Sequence, residues 1–287
     1  MFKEKVKTLV FTALVADAYS LGAHWVYDEK QLQEAPLDWE HLNAPMAAWH
    51  KGKKAGDFTH YGDQIVWLHA FLADKSYFDA DAYRAFWFEK MQNYTGYTDG
   101  ASRTTVENIK NNITPSGSAS TDLSVVGRTT PLLGVSSTPE DFYANVEEFI
   151  KLTHNSPKTL MAGDFFARLL VVVLGGKSIQ EAMLSLKNTY PKDFWHKVEQ
   201  GMESKDQETF AAIRAFGPAC DVDEGLSGVV HLLCKYDNIK EMLMQNAKAG
   251  GDSSARGMIA AVIFVAHDPQ AQLPVSWQEI NASKTCC

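Results

Sequence analysis

From Ser253 to Ala266 the chain carries no charge apart from Arg256. Met258, Ile259, Val262, Ile263 and Val265 recur there with helical spacing on more than one face. A helix that is apolar around most of its circumference has to be enclosed by other elements, so this stretch demands a core built around it. Gly250-Gly251-Asp252-Ser253 precedes it: a glycine pair for a turn, then Asp252 in an N-cap-like position. The free amides and partial positive charge of such a helix end face whatever lies at the turn, which suits an anionic or polyhydroxyl ligand. On this segment alone, a well-capped core helix is the simpler reading.

The same periodicity recurs almost everywhere, and two-residue alternation almost nowhere. It predicts helices over 6–21, 64–73, 80–91, 104–113, 140–152, 158–174, 179–186, 225–234, 239–247 and 254–266. Residues 158–174 are apolar on most sides and read as a central helix. Val171-Val172-Val173 has strand-like composition, but its helical neighbours override it. Ser137-Thr138-Pro139-Glu140 marks a helix start and Gly175-Gly176 a stop. Polar loops are expected over 34–57, 93–102, 114–122 and 215–224. No Gly/Ser linker, charge shift or repeat divides the chain, so residues 1–287 are expected to form one all-α domain, the last few residues a frayed tail.

Composition narrows the function classes. Lys+Arg 27 against Asp+Glu 35 gives a net charge of -8 with no basic stripe, which argues against phosphate-backbone binding of nucleic acid. The apolar run Thr8 to Ala16 is interrupted by Glu4 and Asp17 on its flanks and lacks a clean cleavage site, which argues against export. No stretch reaches the roughly 20 apolar residues that span a bilayer. Cys220, Cys234, Cys286 and Cys287 form neither a metal spacing nor a disulfide framework. The expectation is a reduced, cytoplasmic protein with no membrane or nucleic-acid partner; the oligomeric state is not readable.

Polar clusters interrupt the helical pattern at Asp17 with 22–28, at 56–64, at 97–103, at 117–122 leading to 127–132, and at 250–257. Each sits at a helix end, where binding residues concentrate on a rigid scaffold. Singly, each reads more simply as a cap or turn: Asp63 and Asp122 as caps, Asp99-Gly100 as a turn, His24 and His154 as satisfied structural histidines. Gly175-Gly176-Lys177-Ser178 lacks the first glycine of a phosphate loop, and Ser227 lacks the second glycine of a nucleophile elbow.

The order of these clusters resembles the ADP-ribosylglycohydrolase family, over nearly the whole chain. It looks closest to the divergent branch that includes the jellyfish J-type lens crystallins. Ala16-Asp17-Ala18 is similar to a family Gly-Asp-Ala, and Thr59 to Gln64 stands where the family has Thr/Ser-Asp-Asp-Thr. Gly127 to Leu132 is similar to its Arg-x-x-Pro-Leu segment, Thr153-His154 to a Thr-His pair, and Gly250-Gly251-Asp252 to the start of Gly-Gly-Asp-x-Asp-Thr. The resemblance implies a single orthogonal helical bundle with a cleft at the helix ends. There, active members hold two magnesium ions and cleave a glycosidic bond to ADP-ribose.

The departures fall on the metal ligands. His60, Tyr61 and Gly62 stand where the family has two carboxylates and a hydroxyl, and Ser254 and Ala255 replace the second Asp and the Thr. Magnesium wants hard oxygen ligands, so the expectation is no metal, or at most one weak ion at Asp63 and Asp252, and no required cofactor. The implied function is a hydrolase acting on a glycosidic bond of a small-molecule or protein-linked ADP-ribosyl or ribosyl-nucleotide compound, with a degenerate metal site. The alternative is an inactive nucleotide-binding or crystallin-like protein. Asp63, Asp99 and Asp252 are the catalytic candidates, because glycoside cleavage commonly uses a carboxyl pair. Asp17, His60, Tyr61, Arg103, Ser118, Asp122, Arg128, Ser253 and Arg256 are the substrate-binding candidates. Arg256, one helical turn after Asp252, is expected to border the vacated metal position and to supply charge for phosphate.

Overall fold

Residues 3–281 are described by a computed structural model; the expected frayed tail and Cys286-Cys287 lie outside them. The helices in chain order are α1 (Lys3–Ser20), α2 (Glu29–Gln33), α3 (His60–Leu72), α4 (Ala80–Gln92), α5 (Gly100–Lys110), α6 (Ser124–Gly127) and α7 (Pro139–Thr153). They continue with α8 (Pro157–Leu174), α9 (Ile179–Ser185), α10 (Lys192–Glu203), α11 (Thr209–Phe216), α12 (Val222–Lys235), α13 (Ile239–Lys248) and α14 (Ser253–His267). Among the described residues there is no strand, only isolated bridges pairing Ser118 with His154 and Asp122 with Asp221. No helix among them is long and apolar enough to cross a membrane.

Every residue of α14 from Ser253 to Ala266 is buried, Arg256 included. Helices α1, α6, α8, α12 and α13 pack around it, as the apolar circumference requires. Around this axis one contiguous core forms, reaching from Val6 to Ile280.

The helix starts differ from expectation in a consistent way. Helix α3 begins at His60, not at 64, because Thr59 Oγ1 accepts from Tyr61 N at 3.1 Å. Helix α5 begins at Gly100 because Asp99 Oδ1 accepts from Ser102 N at 2.6 Å. Helix α12 begins at Val222, capped by Asp221 on Asp223 N at 2.8 Å. Capping side chains extend each helix into a polar cluster that carries no apolar period. Helices α10 and α11 were not expected. Helix α10 buries only Phe194, Trp195, Val198 and Gly201 between charged residues, and α11 is short, so neither gives a long apolar stripe.

One buried carboxylate ties α1, α3 and α14 together. Asp17, on α1, accepts from Thr59 N at 2.8 Å and Thr59 Oγ1 at 2.6 Å, at the head of α3, and from Ser254 Oγ on α14. Gly62 makes room for it: a Cβ there would overlap Asp17 Oδ2 and lie 2.8 Å from Phe58 Cβ. The glycine pair at 250–251 is required in the same sense. Both residues have left-handed φ, +65° and +58°, and a Cβ on Gly251 would lie 2.7 Å from Pro218 Cβ.

Asp17→Ala is expected to cost about 3 kcal/mol, since it leaves buried donors on Thr59 and Ser254 unsatisfied. Urea denaturation checks this, and a loss within the range of ordinary surface changes, about 0.5 kcal/mol, contradicts it. Acid should also destabilise the fold. Burial lowers His154 to about 4, with Asp122 and Asp99 partly opposing and Arg128 adding to the shift. Its folded pKa lies below the unfolded 6.5, so the unfolded chain takes up the proton first, and stability is lost as pH falls from about 6.5 toward 4. His154→Gln should recover on the order of 1 kcal/mol of the difference between pH 7 and pH 5; an unchanged pH dependence removes His154 as a source.

Candidate functional site

The capped first turns of α3, α5 and α14 meet near the 22–26 turn after α1. Trp25 N donates to Gly251 O at 2.7 Å, and Gly251 N returns a bond to Val26 O at 2.9 Å. This pair holds Trp25 at a φ of 60°, a conformation that costs a bulky residue energy and is kept only where the surroundings impose it. Rings gather around Trp25: Tyr97 with centroids at 5.0 Å, His60 at 5.3 Å, His50 at 5.4 Å and Trp49 at 6.5 Å. Trp49 is exposed, so this aromatic wall reaches the surface.

Asp252 caps α14 through Ala255 N at 3.1 Å and accepts from Tyr61 Oη at 3.2 Å; His24 Nδ1 lies 3.5 Å from its Oδ1. Donor atoms of Asp122, Cys220 and Asp252 all lie within 4.8 Å of one another. Backbone bonds hold the three segments in place: Leu123 N to Cys220 O at 2.7 Å, Val222 N to Thr121 O at 2.9 Å, and Asp252 N to Pro218 O at 2.8 Å. Burial and the neighbouring Asp122 push the Asp252 carboxyl up to about 7. Burial, Asp122 and Asp252 likewise push the Cys220 thiol up. Near neutral pH the Cys220 thiol is therefore protonated and the Asp252 carboxyl partly so.

Asp99 is the opposite case. His60 Nε2 stands 3.3 Å from its Oδ2 and Arg128 Nη2 at 3.8 Å. Against the penalty of burial, the nearby His60 and the charge of Arg128 hold Asp99 well below the usual carboxylate range. The His60 contact is close but poorly aligned, and neither Nε2 nor Oδ2 completes a regular hydrogen bond. Asp63 is paired with Lys53 Nζ at 2.5 Å and accepts from Tyr94 Oη at 2.6 Å.

Two of the three candidate phosphate-binding arginines, Arg256 and Arg128, are buried and bonded within the protein. Arg256 is buried and gives its Nε to Asn246 Oδ1 at 3.1 Å, Nη1 to Pro218 O at 3.2 Å and Nη2 to Gly250 O at 2.6 Å. It braces the turn that presents Asp252 and forms no ion pair with it. Arg128 is also buried, bonded to Gln64 Oε1 at 3.0 Å and Ser124 Oγ at 2.7 Å, with its guanidinium 4.8 Å from the centre of the Tyr61 ring. Arg103 is exposed and donates to Thr98 O. Ser118 Oγ donates to Thr153 O at 2.9 Å, and Ser253 Oγ is buried without a partner. Asp63 is engaged by Lys53 and Tyr94 at the head of α3. Asp252 instead faces Asp122 and Cys220. Lys53, Tyr94, Cys220 and His50 lie outside the candidates read from sequence, where the run Lys51-Gly52-Lys53-Lys54 offered a signal; Trp25 and Tyr97 fall within the clusters at 22–28 and 97–103 but were not singled out there.

The comparisons agree with this architecture. The family pattern described as ADP-ribosylglycohydrolase matches residues 1–283. Crystallin J1A of Tripedalia cystophora is 22% identical and crystallin J1B of the same organism 21%, each alignment covering 96% of this chain and 91% of the relative. A solved structure described as an ADP-ribosylglycohydrolase-related protein complex superposes with a TM-score of 0.76 at 16% identity, covering 96% of this chain and 92% of that one. With a helical bundle and motif order that run the length of the family pattern, the chain belongs to the ADP-ribosylglycohydrolase family.

Proposed function

We propose that this chain is a magnesium-independent hydrolase of glycosidic bonds in ADP-ribosyl or related ribosyl-nucleotide compounds. The observation that carries the reading is the meeting of Asp252 and Asp122 at the mouth of α14, with Tyr61 Oη on the same carboxyl group. Asp252 is the proton donor to the leaving group, and Asp122, half-buried beside it, is the second carboxylate of the pair. Of the other catalytic candidates, Asp63 is held as an acceptor by Lys53 and Asp99 lies against His60 and the charge of Arg128, and they serve to position these groups. The wall of Trp25, Trp49 and Tyr97 offers a surface for a planar base, and Arg103 is the accessible cation for phosphate.

A magnesium pair does not suit this donor set. His60 and Tyr61 replace carboxylates, Gly62 has no side-chain oxygen, and Ser254 Oγ is already given to Asp17. Lys53 and Arg128 bring fixed positive charge to the same helix ends, so protein cations balance Asp63 and Asp99. A second reading, a packed protein without turnover, is favoured by the crowding of rings in the cleft and by the crystallins among its relatives. The compartment is proposed to be the cytoplasm.

Turnover of ADP-ribosylated arginine, serine or acetyl-ADP-ribose should persist in chelator, and Asp252→Asn should lower it by about 100-fold or more without unfolding the chain. Because the donor must be protonated, kcat/KM should be level below pH of about 7 and fall above it. Activity lost to chelator and restored by magnesium would overturn the metal-free reading. Saturable binding without product from any of these compounds would favour the non-catalytic one.

A further inference from the structure

The two segments that supply His50 and Tyr97 to the aromatic wall also line a separate cavity of about 520 Å³. Lys51 and Lys53 come from one segment, Tyr94 and Gly96 from the other, and Asp63 and Trp67 from α3. Trp67 and Tyr94 form a right-angled aromatic corner, with centroids 5.1 Å apart and planes at 90°. Gly96 makes that corner possible, because a Cβ at 96 would overlap the Tyr94 hydroxyl. With that space free, Tyr94 Oη reaches Asp63 at 2.6 Å.

The charges are placed unevenly. Lys53, mostly buried, gives one N–H to Asp63 at 2.5 Å, which leaves two further donors on the same ammonium. Lys51 is exposed at the rim. Two acids also line the cavity and are engaged by the protein: Asp63 accepts from Lys53 and Tyr94, and Asp57 from Lys54 N and Asn281 Nδ2, the last two at 2.8 Å. The cavity lining thus combines the ammonium groups of Lys51 and Lys53 with the rings of Trp67 and Tyr94, beside two acids already engaged by the protein. The volume lies in the range of small-molecule sites, roughly 300–1,000 Å³.

We propose that this cavity is a binding site for a planar ring carrying a phosphate group, of the size of a nucleoside monophosphate. The ring packs into the Trp67–Tyr94 corner, and the phosphate accepts from Lys51 and Lys53 as charge-assisted hydrogen bonds. The site is distinct from the Asp252 centre and does not require turnover there.

Calorimetric titration of the full chain with AMP at low salt tests it. Saturable binding is expected, weakened by added salt, with adenosine and inorganic phosphate each binding more weakly than AMP. Lys51→Glu, a change at an exposed position, should weaken AMP by about 10-fold or more. Trp67→Ala should weaken AMP and adenosine but not phosphate. Asp252→Asn should leave AMP affinity unchanged, which separates this site from the proposed catalytic centre. The proposal is overturned if no saturable binding occurs up to about 1 mM. It is equally overturned if Lys51→Glu leaves AMP affinity as it was, or if Asp252→Asn abolishes it.

Discussion

The carboxylate of Asp17 is the contact on which the rest of the site depends. It is buried at the junction of three helices, and its oxygens accept from Thr59 and Ser254. Burial raises its pKa, and those hydrogen bonds work against that rise. Because the donors belong to the first turns of α3 and α14, satisfying one buried acid brings two helix N-termini together. Tyr61 then meets Asp252, and Gly62 keeps the approach open. Conversely, without the acid, polar groups on both helices would be buried with no acceptor.

Around that junction, carboxyl groups of one chemical type are driven to opposite protonation states. Asp99 faces His60 and Arg128 and stays ionised; Asp252 faces Asp122 and a buried surround and keeps its proton to about pH 7. The difference comes from neighbours and not from burial, since both side chains are almost wholly buried. An ionised acid with a cation beside it orients its partners. A carboxyl that holds a proton near neutrality has one to give, which is why the chemistry is assigned to α14 and not to α3 or α5.

Much of the fold was legible from local pattern. The apolar run after Asp252 announced a buried helix and the glycine pair a turn, whose backbone is left-handed; the central place read for 158–174 belongs to α14, because one side of α8 stays partly exposed. Asp252 itself read correctly as an N-cap. The same rules stopped short at the helix starts. Thr59, Asp99 and Asp221 extend their helices through polar residues that carry no apolar period, so 60–63, 100–103 and 222–224 read as loop. Those first turns contain His60, Tyr61 and Asp63. The membership of the family was also legible, in the order of the motifs and not in any one of them.

What the sequence by itself determined was an all-helical chain, the helix that must lie inside it, and the polar helix ends where a site would form. These follow from spacing along one segment, which local physics sets. Which charges meet was decided only by the tertiary structure. Arg256 looked like a partner for Asp252 one turn away, yet its guanidinium is spent on Asn246 and the carbonyls of Pro218 and Gly250. Lys53 lay in a segment read as plain loop, yet it pairs with Asp63. Asp122, Cys220 and Asp252 are far apart in sequence and converge through backbone bonds between three loops. A buried charge takes the best acceptor within reach, and reach is a property of the packed fold, not of the interval between residues.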